Sequence, residues 1–555
     1  MRTETFLYLC NQIFNLINDM KKIYFISMVC AAVMFVSCGK KATLDSSIPN
    51  DAMMVMRFDH KSLVAKADYN LFKNPTIKML IEVGKTKMSD SEKKLLEEFQ
   101  KNPNSLGIDI LGESYLFANQ QVYGILLAVN DAKKVFKNLK EIDPTIESSV
   151  TQKNGVYSLN EDGFQVSWNK EKMIILLNYS QILGAKATEE VDYFNLPKEK
   201  SIISDVNYKK FAAAKGDISM YYSMSNYVGF MGKFANLGEK LEMEESAEMK
   251  EIFNKMAAIY ENFDGIATML NCNFEKGKIV SKMQMLYATK EAEQKYNEFY
   301  NYADAKLTGE FFKYIPENPL FLFAMDFDGE KILAMFEKLG LISLYDELLK
   351  KLDANFEFDY KALINSIKGD VMFSAYNLST TSSTFRIELA AFAKLSNPDA
   401  VKPLLDIINA KMGETENKLF DFGIKDDFFY ITEKGGLVER ENSLTKKINK
   451  QPMFLYGDLT GLNESLKPFY EQNYQMFSSV ITKGLTLVET YESKYIDKDN
   501  FECVVNFSDK KQNSLKQFFC FIDQVINNAA MMAGSAFGGG NAVADDAEEV
   551  EEVEF

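Results

Sequence analysis

The sequence holds one histidine, His60, and one tryptophan, Trp168. With one histidine, Ser-His-Asp, Cys-His and multi-histidine metal chemistry are excluded unless His60 itself takes part. Proline is sparse, 11 in 555 residues, and the six cysteines contain no Cys-x-x-Cys pair. There is no Gly-rich phosphate loop and no Gly-x-Ser-x-Gly elbow, so the usual nucleotide-binding and serine-hydrolase signatures are missing. Basic residues are outnumbered, 63 Lys+Arg against 79 Asp+Glu, which gives a net charge of −16. Phosphate backbones are held by Lys/Arg-rich faces, so this balance argues against nucleic acid as a partner.

Core-forming residues are plentiful. The chain is 46% hydrophobic and 13% aromatic, which excludes a disordered protein. Its length suits two large domains or several smaller ones.

The N-terminus reads as a targeting segment. Met20-Lys21-Lys22 is a short basic start, and Ile23 to Val36 is apolar except for Ser27. A run of about 14 residues is shorter than the ~20 that span a bilayer and suits a signal peptide. It ends in Phe35-Val36-Ser37-Cys38, which resembles a bacterial lipobox, with Phe35 where Leu is commoner. The resemblance implies a diacylglycerol on the Cys38 thiol and a further acyl chain, such as palmitate, on its amine. Two or more chains anchor stably where one binds marginally. Residues 1–37 are therefore expected to be an upstream extension plus lipoprotein signal peptide, with Met20 the natural initiator, and 38–46 a tether. The lipobox resemblance also implies a sorting rule, by which an Asp straight after the lipidated Cys would favour inner-membrane retention. Gly39 stands there instead, which points to the outer membrane and leaves periplasmic or surface facing open.

The body reads as a tandem repeat, the first thing to seek in a long chain. Six blocks recur in the same order. Ser47–Asp59 matches Tyr314–Asp328, Leu111–Ala118 matches Lys368–Ala375, and Ile125–Leu139 matches Leu389–Leu405. Gly216–Tyr227 matches Gln451–Leu462, Phe263–Phe274 matches Thr482–Ser493, and Lys278–Phe299 matches Asn500–Phe519. In the first pair Ile-Pro precedes an apolar strand that ends in Phe-Asp. In the third, Asp131-Ala132 and Asp399-Ala400 each open a helix after a strand.

Each copy reads as α+β. Strands are expected at Met53–Phe58, Tyr123–Val129, Met173–Asn178 and Ile279–Tyr287. Ser89-x-x-Glu92 forms a capping-box pattern ahead of Leu95, Leu96 and Phe99. The Glu275-Lys276-Gly277-Lys278 turn favours antiparallel pairing. The expected fold is two tandem similar domains, each a largely antiparallel sheet with helices on one face. The first spans 47–305, with a helical insert at about 233–260, and the second spans 310–530. Residues 531–555 are expected to form a disordered acidic tail, with seven acids between Asp545 and Glu554.

The lipidated Cys, the short tether and the Ile-Pro opening before an apolar strand are similar to an uncharacterised family. Its members are roughly 500-residue lipoproteins of Gram-negative gut anaerobes, classed only as a domain of unknown function. The resemblance covers nearly the whole mature chain. It implies no activity and no site beyond Cys38.

Candidate chemistry is thin. His60 follows Phe58-Asp59, where the second copy has Gly329 after Phe327-Asp328, and is expected to be a surface turn residue rather than a catalytic base. Asp326, Asp328 and Glu330 alternate beside Gly329 as calcium ligands do, but the later ligands of a calcium loop are missing. Asp426-Asp427 is expected in a hairpin turn. Met249, Ile252, Phe253 and Met256 make one apolar helical stripe, expected to face its own domain. Cys272 and Cys503 are expected to be buried and reduced, with Cys520 pointing away from Cys503. No catalytic residue, metal site or cofactor is assigned, and a ligand-binding site stays unknown. The expected role is a lipid-anchored envelope protein, a non-enzymatic binding or structural module. Its partners are the membrane, through Cys38, and an envelope protein. The alternative is a carboxylate-dependent hydrolase of envelope or glycan substrates, which needs only two acids.

Overall fold

Alternation and tight turns shape this structure: eight of the eighteen described strand pairings are hairpins between consecutive strands. The computed structural model describes residues 44–86, 88–161, 163–178, 191–227, 263–299, 306–338, 340–342, 345–346, 359–381, 383–412, 420–448 and 451–537. Cys38, the insert at 233–260 with its Met249–Met256 stripe, and the acids after Asp545 lie outside the described residues.

The first strands are β1 (Met54–Asp59), β2 (Ile108–Asp109), β3 (Glu113–Ala118), β4 (Val122–Val129), β5 (Val150–Lys153), β6 (Val156–Glu161), β7 (Phe164–Trp168), β8 (Lys172–Asn178), β9 (Ile218–Ser223), β10 (Ile266–Glu275) and β11 (Lys278–Tyr287). The rest are β12 (Phe321–Asp328), β13 (Ile367–Thr380), β14 (Phe385–Leu395), β15 (Phe420–Lys425), β16 (Phe428–Glu433), β17 (Met453–Asp458), β18 (Val488–Asp497) and β19 (Asn500–Phe507). The four strands expected from alternation are present, each starting within one residue of its expected place.

All pairings among the described residues are antiparallel. From β11 outward the first run is β11-β10-β9-β1-β3-β4-β8-β7-β6-β5, with β2 continuing the β3 side of β4. From β19 outward the second is β19-β18-β17-β12-β13-β14-β16-β15. β11 and β19 pair with each other from Lys278↔Asn506 to Gln284↔Asn500, so the two runs make one sheet. Its ends are β5 and β15, and no described pairing joins them. The β10–β11 hairpin turns on Lys276-Gly277, where Gly277 takes φ +65°, a conformation that favours glycine.

The helices used below are α1 (His60–Ala67), α2 (Pro75–Lys85), α3 (Asp90–Lys101), α4 (Ala132–Ile142), α5 (Val206–Ala213), α6 (Lys290–Phe299), α7 (Gly329–Lys338), α8 (Tyr360–Ser366), α9 (Lys402–Met412), α10 (Leu462–Asn473), α11 (Ser478–Leu485) and α12 (Ser514–Phe537). Ser89 caps α3 with the expected reciprocal box, its side chain accepting from Glu92 N while the Glu92 carboxylate accepts from Ser89 N. Asp131 caps α4. Its supposed counterpart Asp399 does not cap a helix. Asn397 caps a short 3-10 turn over Pro398–Val401, and α9 follows.

Helices cover both faces of the first run, not one. On one face Val55, Phe117, Leu126, Ile174 and Leu176 meet Ile48, Phe194, Tyr208 and Phe211, the last two from α5. On the other, Leu127, Val129, Met173, Ile175 and Trp168 meet Leu95 and Phe99 of α3 and Val135 and Leu139 of α4. Strands β4 and β8 alternate apolar residues on both sides, so both faces need cover. The second run has its own core of Phe311, Phe312, Leu322, Ala324, Phe392 and Phe454. The helix α12 continues past 530 to Phe537, through Ala529-Ala530-Met531-Met532-Ala533, strong helix formers that end before three glycines. No described helix is long and apolar enough to cross a membrane.

Candidate functional site

His60 is not at the surface. It opens α1 directly behind β1 and is buried, with Nε2 2.6 Å from Ser114 Oγ on β3. Its ring stacks on Phe58 with centroids 6.0 Å apart. Burial pushes its pKa down to about 4, against the Asp59 charge, which acts to raise it. The imidazole is neutral and enclosed, a packing group rather than a base facing substrate. The sequence read as a turn because the strand ends in Asp59, yet Asp59 caps α1 by accepting from Ser62 N. At Gly329 an added Cβ would lie 1.7 Å from Ile364 O, so α8 occupies the place that a side chain fills in the first run.

The acidic candidates are spent on local structure. Asp326 accepts from Lys306 N at 2.7 Å, and Asp328 accepts from Lys331 N at 3.2 Å to start α7. Asp426 and Asp427 form the two-residue β15–β16 turn as expected, with Asp426 at φ +53° and Asp427 2.9 Å from Lys394. Among the described residues no group of three or more His, Cys, Asp or Glu side chains is placed to hold a metal.

Of the buried carboxylates, Asp217 and Asp370 are the most enclosed. Asp217 accepts from Lys66 Nζ at 2.8 and 2.7 Å, from Ser62 Oγ at 2.5 Å and from Phe274 N at 2.6 Å, tying α1 to the sheet. Asp370 accepts from Thr308 N at 2.9 Å, Thr308 Oγ1 at 2.8 Å, Gly309 N at 2.6 Å and Glu310 N at 3.3 Å. Each sits beside a glycine at a strand start, the one signal that marked them. Buried Arg57 donates to the Ala212 and Ala214 carbonyls at the end of α5 and lies over Phe211. That is a favourable cation at a helix C-terminus.

Cys272 and Cys503 are half-buried rather than buried, and Cys520 is exposed. The two strand cysteines flank Ser281, in register with Cys272 on one side and Cys503 on the other. Two strand spacings, roughly 9.5 Å, separate them, against the ~3.8 Å between Cβ atoms of a disulfide. Burial raises both thiol pKa values. They are less covered than alternation suggested because they lie on the face opposite Ala267 and Met269, which enter the core.

A cleft of about 400 Å³ opens where β17, α11 and β19 end and β18 begins, lined by Leu459, Lys483, Thr486, Glu489, Asp509 and Gln517 among others. Its polar groups hold the loops together. Lys510 Nζ lies 2.7 Å from Glu489, and Gln517 Nε2 donates to the Asp509 carbonyl at 2.7 Å. Asp509 accepts from Lys511 N and Gln512 N, which hold its carboxyl below the usual range. A carboxylate so held stays ionised and is a poor proton donor.

The fold and these groups define an α+β protein organised by one long antiparallel sheet, with its buried charges committed to structure. The chain belongs to the family described as a domain of unknown function, DUF4836, whose profile matches residues 45–451. The match ends before β17. Among solved structures, crystal form I of TP0453 is similar over 48% of this chain and 88% of that one, at 9% identity and a TM-score of 0.21. No curated protein matches.

Proposed function

We propose that this chain is a lipid-anchored envelope protein of the outer membrane, with a duplicated α+β body that serves as a non-enzymatic binding or structural module. The anchor reading rests on the short apolar run ending in Phe35-Val36-Ser37-Cys38. The observation that carries it further is at the start of the fold. Leu44 is already in the core at 3% exposure. Six residue steps reach at most ~20 Å, so a lipid on Cys38 would keep the body against its membrane. The bodies at 47–305 and 310 onward, the latter extended to 537 by α12, are proposed copies. Matching strand order through eight places supports this, as do Ile48 and Ile315, each 0% exposed ahead of β1 and β12. The ionised Asp509 gives no support to a carboxylate hydrolase, which needs one acid with a raised pKa.

The test is Cys38→Ala, expressed beside the parent and fractionated. The parent should need detergent to leave the membrane, and the variant should be released without it. A variant that stays membrane-bound like the parent overturns the anchor.

A further inference from the structure

The cleft at the ends of β17, α11 and β19 carries charges that its internal contacts do not use up. Glu489 is neutralised by Lys510, 2.7 Å away. One charge of each sign is left over. Lys483 lines the cleft and is exposed, and its ammonium has no hydrogen-bond or ion-pair partner among the described residues. Asp509 Oδ1 accepts from Lys511 N at 2.7 Å and from Gln512 N at 3.2 Å, while Oδ2 has no partner among the described residues. Lys483 stands near enough to act on this carboxyl, which is held low first by the two amides and then by the charges of Lys511 and Lys483. Yet Lys483 and Asp509 close no ion pair across the cleft.

A third group supports a ligand between them. Gln517 also lines the cleft and is only 7% exposed. Its Nε2 spends both hydrogens, on the Asp509 carbonyl at 2.7 Å and on the Gln512 carbonyl at 3.1 Å. The amide is thereby fixed in one orientation, and its Oε1 accepts nothing among the described residues. In a side chain so enclosed, an amide oxygen without a donor is uncommon. Leu459, Leu485, Leu487 and Val488 add apolar lining.

We propose that this cleft binds a small zwitterion, an α-amino acid with an apolar side chain. Its ammonium carries three donors, which Asp509 Oδ2 and Gln517 Oε1 would accept. Its carboxylate would lie toward Lys483, and its side chain against the leucines and Val488. A volume of about 400 Å³ falls at the small end of ligand pockets. A metal cation fits less well. Of the two carboxylates that line the cleft, Glu489 is already paired, and Lys483 would repel the ion. A simple anion would leave Asp509 and Gln517 unmet. The site gives a ligand class to the binding module proposed above and rests on that reading, but it does not depend on the anchor. Loss of binding would therefore leave the Cys38→Ala fractionation untouched, and the reverse.

Ligand-observed NMR titration of the full chain in detergent tests this, with L-leucine as the probe. Two analogues each lack one charge: 4-methylpentanoate has no ammonium and isopentylamine has no carboxylate. L-leucine should bind, and each analogue about tenfold more weakly, the loss of one charge-assisted contact. Lys483→Gln should weaken L-leucine about tenfold and leave isopentylamine unchanged. Asp509→Asn keeps Oδ1 for the two amides, so it should weaken L-leucine to a similar degree and leave 4-methylpentanoate unchanged. The unaffected analogue shows in each case that the cleft is still folded. No binding of L-leucine at millimolar concentration overturns the proposal. So does binding no tighter than that of either analogue, or binding indifferent to both substitutions.

Discussion

His60 gives the clearest pH dependence at the level of single residues. Its folded pKa, about 4, lies below the ordinary 6.5, so between these values the unfolded chain takes up the proton first. Stability from this residue is intact above about pH 6.5 and falls as the pH drops toward 4, by about 3 kcal/mol in full. Urea titrations at pH 7 and 4.5 should show the gap shrinking by about 2–3 kcal/mol in His60→Gln. An unchanged gap would show that the ring titrates normally. Asp370→Ala should cost about 3 kcal/mol, since it leaves several buried N–H groups without an acceptor. Denaturant midpoints measure that. Thiol alkylation followed by mass spectrometry should label Cys520 first, with Cys272 and Cys503 slower because both are half-covered and hold their protons more tightly. Asp217, Asp370 and Arg57 were not legible because a buried charge looks like any surface charge until its distant partners arrive. Lys66 and Asp217 lie 151 residues apart.

Among the elements, α12 is the most telling. It belongs to the second run by sequence, yet it docks on the first. Asp523 accepts from the Tyr69 hydroxyl and from Asn74 Nδ2, Thr76 Oγ1 donates to Asn527 at 2.7 Å, and Lys516 lies 2.8 Å from Asp68. Tyr69 stacks on Phe519 at 5.3 Å. Burial and the Asp523 charge push the Tyr69 phenol up, keeping it a donor. Asp523→Ala should destabilise the chain by about 2 kcal/mol through the orphaned Asn74 and Tyr69 groups, and loosen α2 in hydrogen exchange. Unchanged exchange over Pro75–Lys85 would mean the helix is held elsewhere. Elements with a local code were readable, such as the Ser89 box, the Lys276-Gly277 turn and alternating β4. Asp399 was misplaced because Asn397-Pro398 intervenes and takes the cap. The extent of α12 was misjudged because tail composition outweighed the local helix formers.

At the scale of the whole molecule, the buried clusters of the first run share no member with that of the second. Trp168 is wholly buried in the first, its Nε1 donating to the Ala132 carbonyl at 3.1 Å. Its fluorescence therefore reports one half alone. Asp370→Ala, in the other half, should move the circular-dichroism transition while the Trp168 midpoint moves less. Equal shifts would mark a single cooperative unit. The α+β class was legible from strand spacing and hairpin turns. Cover on both faces was not, because Ile48, Phe194, Tyr208 and Phe211 reach the sheet from irregular or short segments that carry no period.

The ladder between β11 and β19 also sets a timetable. The outer edge of β11 is complete once residue 287 has been made, but the strand that covers it ends at Phe507. At ~5–20 residues per second, synthesis of the intervening chain takes on the order of 10–40 s. Throughout that interval the nascent protein carries a ten-residue strand with an open side, so a holding factor in the compartment where it matures would matter more for this chain than for one whose neighbouring strands emerge together.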